Sequence, residues 1–496
     1  MEAKKKGGFS SSIGFVLAAA GSAVGVGNIW RFPYLAARDG GGLFLMVYLA
    51  LVLTFGFTLL TTDIAIGRKT GKHAWEAFGS LSKNWGFLGK LTFLVPALIM
   101  TYYSVIGGWI LKYSTIYLTG QHQMAAQDGF FTSFITSHAS PVVFMLIFLA
   151  ITAFIVFTGV EKGIEKFSRF VMPGLLLMVI GIAIYSLTLH YTDADGVTRT
   201  GLQGLAVYLI PNFSGLTFSR FMDILLDAMS QLFFSLSVSM GIMITYGSYV
   251  KKDVDLNKSI AQIEFFDTGV AFLAGIMIIP AIYVFSGTEG MASGPSLMFV
   301  SLPKVFNSMG FAGIIVGILF FVMILFAALT SCISIMETLV ATCMNIFHTS
   351  RRKTSLAISA YAAVTAIVIC LGYNVFYFEF ALPNGQTAQL LDIMDYISNS
   401  FLMPLIAFLT AVFVGWIIKP SWIAQEMRVG SNGFHKEKLY SFMVRFVVPV
   451  IMAVLFFQST GLLKVFLLLF GAAAVIGVPV LCVILMKRRK KEDARL

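Results

Sequence analysis

Two clusters of oxygen-bearing residues interrupt otherwise apolar runs of this chain in the same way. The first is GSAVGVGNIWRFPY, Gly21 to Tyr34, and the second is SQLFFSLSVSMG, Ser230 to Gly241. An unbroken helix hides its polar backbone from lipid. A broken one frees carbonyls and amides, which is tolerated where they line a cavity or an ion site. In the first cluster Gly21, Gly25 and Gly27 permit unwinding. The carbonyls of Gly21, Ala23 and Val24 are then free to coordinate a hard cation, and Asn28 adds a side-chain oxygen. The helix that resumes afterwards aims its free N–H groups and the positive end of its dipole at the same place, which suits a carboxylate. In the second cluster Ser235, Ser237 and Ser239 alternate with Phe234, Leu236, Val238 and Met240. In an intact helix these serines would only bond to their own backbone; in an unwound one they supply hydroxyl and carbonyl oxygens. A glycine hinge or a close helix-packing face is the competing reading of the first cluster taken alone.

Ionisable groups inside apolar runs are costly and point to function by default. Asp267 lies one to two turns into its run, near Glu264, and beside the oxygen-rich segments; Arg31 follows the first break, and Asp392 and Asp395 open a later run. Asp392 is placed near an interface, in water. Asp63, Asp227 and Glu337 read equally well as structural hydrogen-bonders between helices. In AALTSC, 327–332, Thr330 and Ser331 stand with the Ala327 carbonyl one turn earlier, a pattern that alone is weak.

The elements that must position these groups follow from composition. The 496 residues are 58% hydrophobic and 12% charged, with a mean hydropathy of +0.86, against about 25% charge in soluble chains. This is a polytopic membrane protein. At about 20 apolar residues per crossing, twelve spans are expected, at 13–36, 41–66, 91–118, 141–158, 170–189, 218–246, 259–285, 312–347, 355–376, 392–418, 440–460 and 462–486. Of 35 Lys and Arg residues, 27 fall on the side that carries both ends of the chain, so both termini are expected in the cytoplasm. The basic tail KRRKKEDAR then reads as a topology anchor on the cytoplasmic side of the lipid bilayer, and the net charge of +11 does not imply nucleic acid. Lys4–Lys6 lead into a long apolar run without a small-residue cleavage pattern, so no cleaved signal is expected. Cys332, Cys343, Cys370 and Cys482 lie in or beside apolar runs and read as small buried residues. Six scattered His and the lack of a nucleophile–base, metal or nucleotide motif offer no catalytic centre. Matched breaks about 200 residues apart are the sequence mark of a transporter built from inverted repeats.

GVGNIWRFPY, the GGG at 40–42, Tyr102–Tyr103, QLFFSLS and ALTS occur in order between residues 9 and 420. Together they resemble the neurotransmitter:sodium symporter (sodium- and neurotransmitter-symporter) family. The similarity is greatest to its bacterial amino-acid branch, that of the leucine and multi-hydrophobic amino-acid transporters. The resemblance implies an all-α integral membrane fold of twelve transmembrane helices, with a 5+5 inverted repeat, discontinuous first and sixth helices and two C-terminal helices. The implied division is a cytoplasmic segment at 1–12, a first repeat at 13–190, an extracellular loop at 191–217, a second repeat at 218–418, two further helices at 419–486 and a basic tail at 487–496.

Carried onto this sequence, the resemblance implies one sodium ion at Ala23, Asn28, Ser235 and Asp267, completed by the substrate carboxylate. A second is implied at Gly21, Val24, Ala327, Thr330 and Ser331. The substrate carboxylate would meet the amides of Val26 and Gly27 and the Tyr103 hydroxyl, and its ammonium would face Ala23, Phe234, Ser235 and Ser237. Ile99, Tyr103, Phe234, Ser237, Met240, Ser331 and Ile335 would hold its side chain. Arg31 and Asp395 would form the extracellular gate. Gly163 and Pro173 match the Gly-x9-Pro spacing at which span five of the family unwinds. The implied activity is sodium-coupled import of a neutral, hydrophobic or aromatic L-amino acid across the cell (plasma or inner) membrane, independent of chloride. Another carboxylate-bearing amine or osmolyte, or a non-transporting sensor on the same fold, are the alternatives. Gly25 stands where monoamine carriers place an Asp, so the ligand should bring its own carboxylate. Chloride-dependent members hold a neutral residue at the position of Asp267 and use a Ser at that of Ala271.

Phe9, Asn345, Ser239 and Asp39 depart from the family pattern. Lys6, Phe9 and Asn345 stand where members often have a basic residue, a Trp and an Asp, so the usual inner ion pair is not expected. Ser239 replaces a frequent Gly and is expected to narrow or polarise the pocket. Asp39 replaces a frequent Asn.

Overall fold

Burial of apolar faces without loss of backbone hydrogen bonds makes this chain a bundle of long helices. A computed structural model describes residues 8–193, 196–287, 295–383 and 385–462. The first span is two helices, α1 (Ser12–Ala23) and α2 (Val26–Arg38), bent by 54° at Val24 and Gly25. There follow α3 (Gly42–Thr70), α4 (Lys83–Leu118), α5 (Ser140–Thr158) and α6 (Val160–Thr188). The sixth span is again two pieces, α7 (Phe218–Ser235) and α8 (Ile242–Ser248). Then come α9 (Leu256–Ser286), α10 (Phe311–Phe347), α11 (Arg351–Leu371), α12 (Leu390–Ile417) and α13 (Glu437–Ser459). Eleven of the twelve expected spans thus have their helices among the described residues; the twelfth, at 462–486, and the tail lie outside them, as do Lys6 and Cys482. Cys332, Cys343 and Cys370 are buried and free.

The chain is mostly helical, as expected of an all-α membrane fold, and its few strand residues lie in connections. Two short hairpins, β1 (His190–Thr192) with β2 (Thr198–Thr200) and β3 (Phe380–Ala381) with β4 (Thr387–Ala388), sit in connections expected outside the cell. Water can satisfy their outer edges there, which lipid could not do. The second break is also narrower than expected, because helix persists through Ser235 and gives way only at 236–241. Short helices such as Gly201–Leu209 and Pro420–Met427 fill the connections.

α1 packs against α6, α9 and α10, and α2 against α9. α8 lies on the second half of α3. The breaks of the first and sixth spans therefore meet in the interior, walled by α4, α9 and α10.

Candidate functional site

Gly25 is extended (φ −114°, ψ −172°) between α1 and α2. Its amide donates to Asn28 Oδ1 at 3.3 Å, which caps the restarting helix and fixes the Asn28 side chain. A Cβ at position 25 would stand 3.2 Å from Ser331 Oγ and 3.7 Å from Tyr103 Oη. Glycine there leaves these two hydroxyls facing open space. Across from it, Ser237 (φ 52°) and Ser239 (φ 62°) occupy the left-handed region that non-glycine residues avoid. Hydrogen bonds hold both: Ser237 Oγ donates to the Ser22 carbonyl at 3.0 Å, and the Ser239 amide to Asp63 Oδ2 at 2.8 Å.

The residues expected at the first cation site converge. Asn28 Nδ2 donates to Asp267 Oδ1 at 2.8 Å, and Ser235 Oγ to the same oxygen at 2.7 Å and to Asn28 Oδ1 at 3.2 Å. Asp267 is fully buried, and its Oδ2 has no hydrogen-bond partner. An orphaned carboxylate oxygen is costly in a dry site. A hard cation beside it would relieve that cost, and amide, hydroxyl, carbonyl and single carboxylate donors suit a hard, oxygen-loving ion. Among the described residues no three His, Cys, Asp or Glu side chains gather as they would for a softer metal.

The residues expected at the second cation site also converge. Ser331 Oγ donates to the Gly21 carbonyl at 3.5 Å and the Ser22 carbonyl at 3.1 Å, and Thr330 Oγ1 to the Ala327 carbonyl at 3.0 Å. Val24 closes α1 through its amide to the Ala20 carbonyl at 2.7 Å, which leaves its own carbonyl beyond the helix end. Ser22 was not singled out from sequence. Its hydroxyl donates to Ser237 at 3.3 Å, and its carbonyl serves both Ser237 and Ser331. Its position between Gly21 and Ala23 was the available signal.

Between these clusters lies a cavity of about 80 Å³, lined by all eleven residues expected around the substrate and, in addition, by Ser22, Gly25, Asn28, Trp30, Tyr102, Ile106, Ile242 and Asp395. The wall is mainly apolar, with the hydroxyls and freed backbone at one end. Ser239 is not part of it. The expectation that it narrows or polarises the pocket is corrected: its amide is committed to Asp63, behind the wall.

Arg31 and Asp395, the expected extracellular gate, make no direct ion pair in this structure. Arg31 donates to Ser230 Oγ at 2.8 Å, and Asp395 accepts from Asn399 Nδ2 at 2.6 Å. Arg31 thus reaches across to α7, and Asp395 is held by a residue one turn along its own helix. Asp395 still lines both the central cavity and an outer pocket with Asp392 and Tyr396. Asp392 caps α12 through the Gln389 amide at 3.0 Å. At the end of α2, Arg38 joins Asp39 and Asp227, and Arg220 also reaches Asp39. Asp39 is thus an anion of an ion-pair network there. Glu337 accepts from Tyr249 at 2.8 Å and from both ends of the Arg351 guanidinium at 2.7 Å. The structural reading of Asp63, Asp227 and Glu337 therefore holds.

The Sodium:neurotransmitter symporter family model matches residues 6–128 and 131–466. The uncharacterized sodium-dependent transporter YhdH of Bacillus subtilis is 34% identical over 471 residues, 94% of this chain and all of the relative. The similarly described MJ1319 of Methanocaldococcus jannaschii is 31% identical over 508 residues, 97% of each chain. Among solved structures, that of MhsT in complex with L-phenylalanine aligns with a TM-score of 0.79 and 35% identity, over 92% of this chain and 100% of that one. A match over nearly the whole length, around two broken helices whose freed oxygens meet at one cavity, means that this chain belongs to the sodium:neurotransmitter symporter family, whose members are sodium-coupled membrane transporters and not enzymes.

Proposed function

We propose that this chain imports a neutral, hydrophobic or aromatic L-amino acid together with two sodium ions, without chloride, by alternating access across the plasma membrane, with both termini in the cytoplasm. The observation that carries this reading is the orphaned Asp267 Oδ2, fully buried beside a mainly apolar cavity whose lining includes hydroxyls and freed backbone. The carboxylate and a sodium ion neutralise one another. A zwitterion can then lay its own carboxylate against the ion, and that shared ligand couples the two bindings. Ile99, Ile106, Phe234, Met240 and Ile335 leave the remaining wall to an apolar side chain. Phenylalanine, the ligand in the MhsT structure, is of this kind. Each sodium ion moving down about 100 mV and a tenfold gradient gains about 3.7 kcal/mol. Two ions thus supply about 7 kcal/mol, ample for steep accumulation of a zwitterion.

The test is a binding screen of the twenty amino acids on the purified protein in sodium, potassium and choline, with uptake into proteoliposomes. Sodium-dependent binding of large apolar amino acids is expected, with lithium a poor substitute. Undiminished uptake in choline at equal pH overturns the reading.

Tyr103→Phe removes a hydroxyl proposed to donate to the substrate carboxylate. A hydrogen bond to a charged group is worth about 1.5–3 kcal/mol, so substrate affinity should fall by about tenfold to a hundredfold. Unchanged affinity in the folded variant would return Tyr103 to a packing role.

Thr330→Ala and Ser331→Ala should each raise the sodium concentration for half-maximal binding, by several-fold, since each hydroxyl is a proposed ligand of the second ion. If the sodium titrations of both superimpose on that of the parent, α10 has no part in that site.

A further inference from the structure

Arg445 is a charged side chain on the outer surface of a membrane-length helix. It lies in the first half of α13 and is exposed there. Its neighbours on that surface are apolar and equally bare: Trp416 is 58% exposed, Phe442 57% and Phe446 50%. Such a face meets lipid, where an ionised side chain is costly and marks function by default. The level of Arg445 in the membrane is set by α12. Arg445 Nε donates to the Gly415 carbonyl at 3.3 Å, and Trp416 Nε1 donates back to the Arg445 carbonyl at 3.1 Å. Gly415 stands just before the end of α12 at Ile417. α12 has 28 residues, about 42 Å at 1.5 Å each, against a hydrocarbon core of about 30 Å, so its ends reach the headgroups. The guanidinium is therefore level with lipid phosphates, on the side proposed above to be cytoplasmic.

Two irregular turns make this contact. Phe413–Ile417 and Met443–Val447 are wide π turns packed on one another. Such turns are rare and frequent at functional sites. A Cβ at Gly415 would stand 2.9 Å from the Val444 carbonyl and 3.1 Å from Arg445 Cα, so glycine lets the two helices touch. Trp416 packs edge-on to Phe446 with ring centroids 5.8 Å apart, and Phe446 lies 5.8 Å from Phe442. The bond to Gly415 uses one of the five N–H donors of the guanidinium. Its two terminal nitrogens meet no acceptor among the described residues. The apolar run at 463–486 contains no Asp or Glu, so the rest of the membrane-embedded chain brings no carboxylate. Lys419, just past the end of α12, and Lys438, two turns before Arg445, are exposed as well. Both stand on the headgroup side of Arg445.

We propose that Arg445 and Trp416, with Lys419 and Lys438 nearer the water, bind the headgroup of one anionic phospholipid of the cytoplasmic leaflet. A planar guanidinium meets phosphate oxygens as a fork, which an ammonium cannot do. The rings of Trp416, Phe442 and Phe446 offer the acyl chains an apolar surface beside it. The two lysines answer a net negative charge, which a zwitterionic headgroup lacks. A soluble phosphate carries the charge but has nothing to lay on the rings, so the lipid is the ligand that uses every part of the surface. The site shares no residue with the proposed sodium and substrate sites, and it stands or falls without them.

The test is native mass spectrometry of the full chain in detergent, titrated with phosphatidylglycerol or with phosphatidylcholine of the same acyl chains. The parent should retain one phosphatidylglycerol at about a tenth of the concentration that phosphatidylcholine requires. Arg445→Ala should abolish that preference, and Arg445→Lys should keep part of it. Retention of phosphatidylcholine should be the same in the parent and both variants. Glycerol 3-phosphate at equal concentration should not displace the lipid. Lys419→Ala with Lys438→Ala changes only exposed side chains and should weaken phosphatidylglycerol retention several-fold; it decides the matter if Arg445→Ala does not fold. A parent that retains both lipids equally overturns the site, as do variants that keep the parent's preference. Displacement by glycerol 3-phosphate would make this a soluble-phosphate site and overturn the lipid assignment. None of these measurements uses sodium or substrate, so their failure leaves the symport reading untouched.

Discussion

Asp267→Asn should lower sodium-dependent uptake at least tenfold, and Asp267→Asn with Ala271→Ser should restore it only when chloride is present. The parent should run equally well in gluconate. The reasoning is one of charge. Asp267 is fully buried, with one oxygen held by Asn28 and Ser235 and the other unpartnered. If a sodium ion and a zwitterion enter beside it, the fixed negative charge leaves the loaded site near neutrality. Two unit charges 4 Å apart interact by about 4 kcal/mol at an effective permittivity of 20, so a second anion close to Asp267 would be repelled. The Asn variant lacks that charge and leaves the cation uncompensated. An anion is then welcome, and the neighbourhood can receive one. Ala271, one turn along α9, is fully buried, as are Tyr48 and Gln231. A hydroxyl at 271 would add a buried donor one turn along the helix from Asp267. Uptake by the parent that collapses in gluconate would refute the charge-substitution argument, as would a double variant indifferent to chloride.

How far the sequence spoke for the fold and the site depended on the range of the interaction. Breaks in apolar helices are local, so Val24–Gly25 and the 236–241 segment were legible from their own residues, and the positions of eleven spans with them. The candidate cation ligands were legible because each lies in or beside a break, or carries a charge where charge is expensive. Interactions between residues far apart in the chain were not legible. Arg31 and Asp395 have the right charges for a gate, but nothing in sequence showed that Ser230, 199 residues away, would be the nearer partner of Arg31. Ser239 looked like a pocket residue because its neighbours are; its left-handed backbone and its bond to Asp63 could not be read from a serine in a serine-rich run. Glu165 sits amid charged residues at a span end, where a solvated side chain is the ordinary outcome. Only the fold shows that the start of α1, 155 residues earlier, bears down on it.

Arg68→Ala should destabilise the protein by about 3–5 kcal/mol, the usual cost of orphaning one member of a buried ion pair. Its guanidinium is fully buried at the end of α3. It donates to Glu426 Oε1 at 2.7 Å, to the Glu426 carbonyl at 2.6 Å, to the Val254 carbonyl at 2.6 Å and to the Val429 carbonyl at 3.2 Å. One side chain thus ties α3 to the connection before α9 and to the helix Pro420–Met427. Alanine would strand the Glu426 carboxylate, 4% exposed, and three carbonyls. Lys252 also reaches Glu426 Oε1 at 2.7 Å, but its side chain is 56% exposed. Such a partly solvated pair contributes about 0–1 kcal/mol, so Lys252 cannot stand in, and Lys252→Ala should be nearly silent. The thermal midpoint of Arg68→Ala in detergent should fall by roughly 3–5 °C, with Glu426→Gln between it and the parent. The tie joins elements that pack beside α8 and not against α1, so it belongs to the frame around the proposed site and not to the site itself. Protein that remains folded should therefore keep the parent's sodium titration. A midpoint within two degrees of the parent would show that water or Lys252 relieves the stranded charge, and a shifted sodium titration would place Arg68 in the transport cycle.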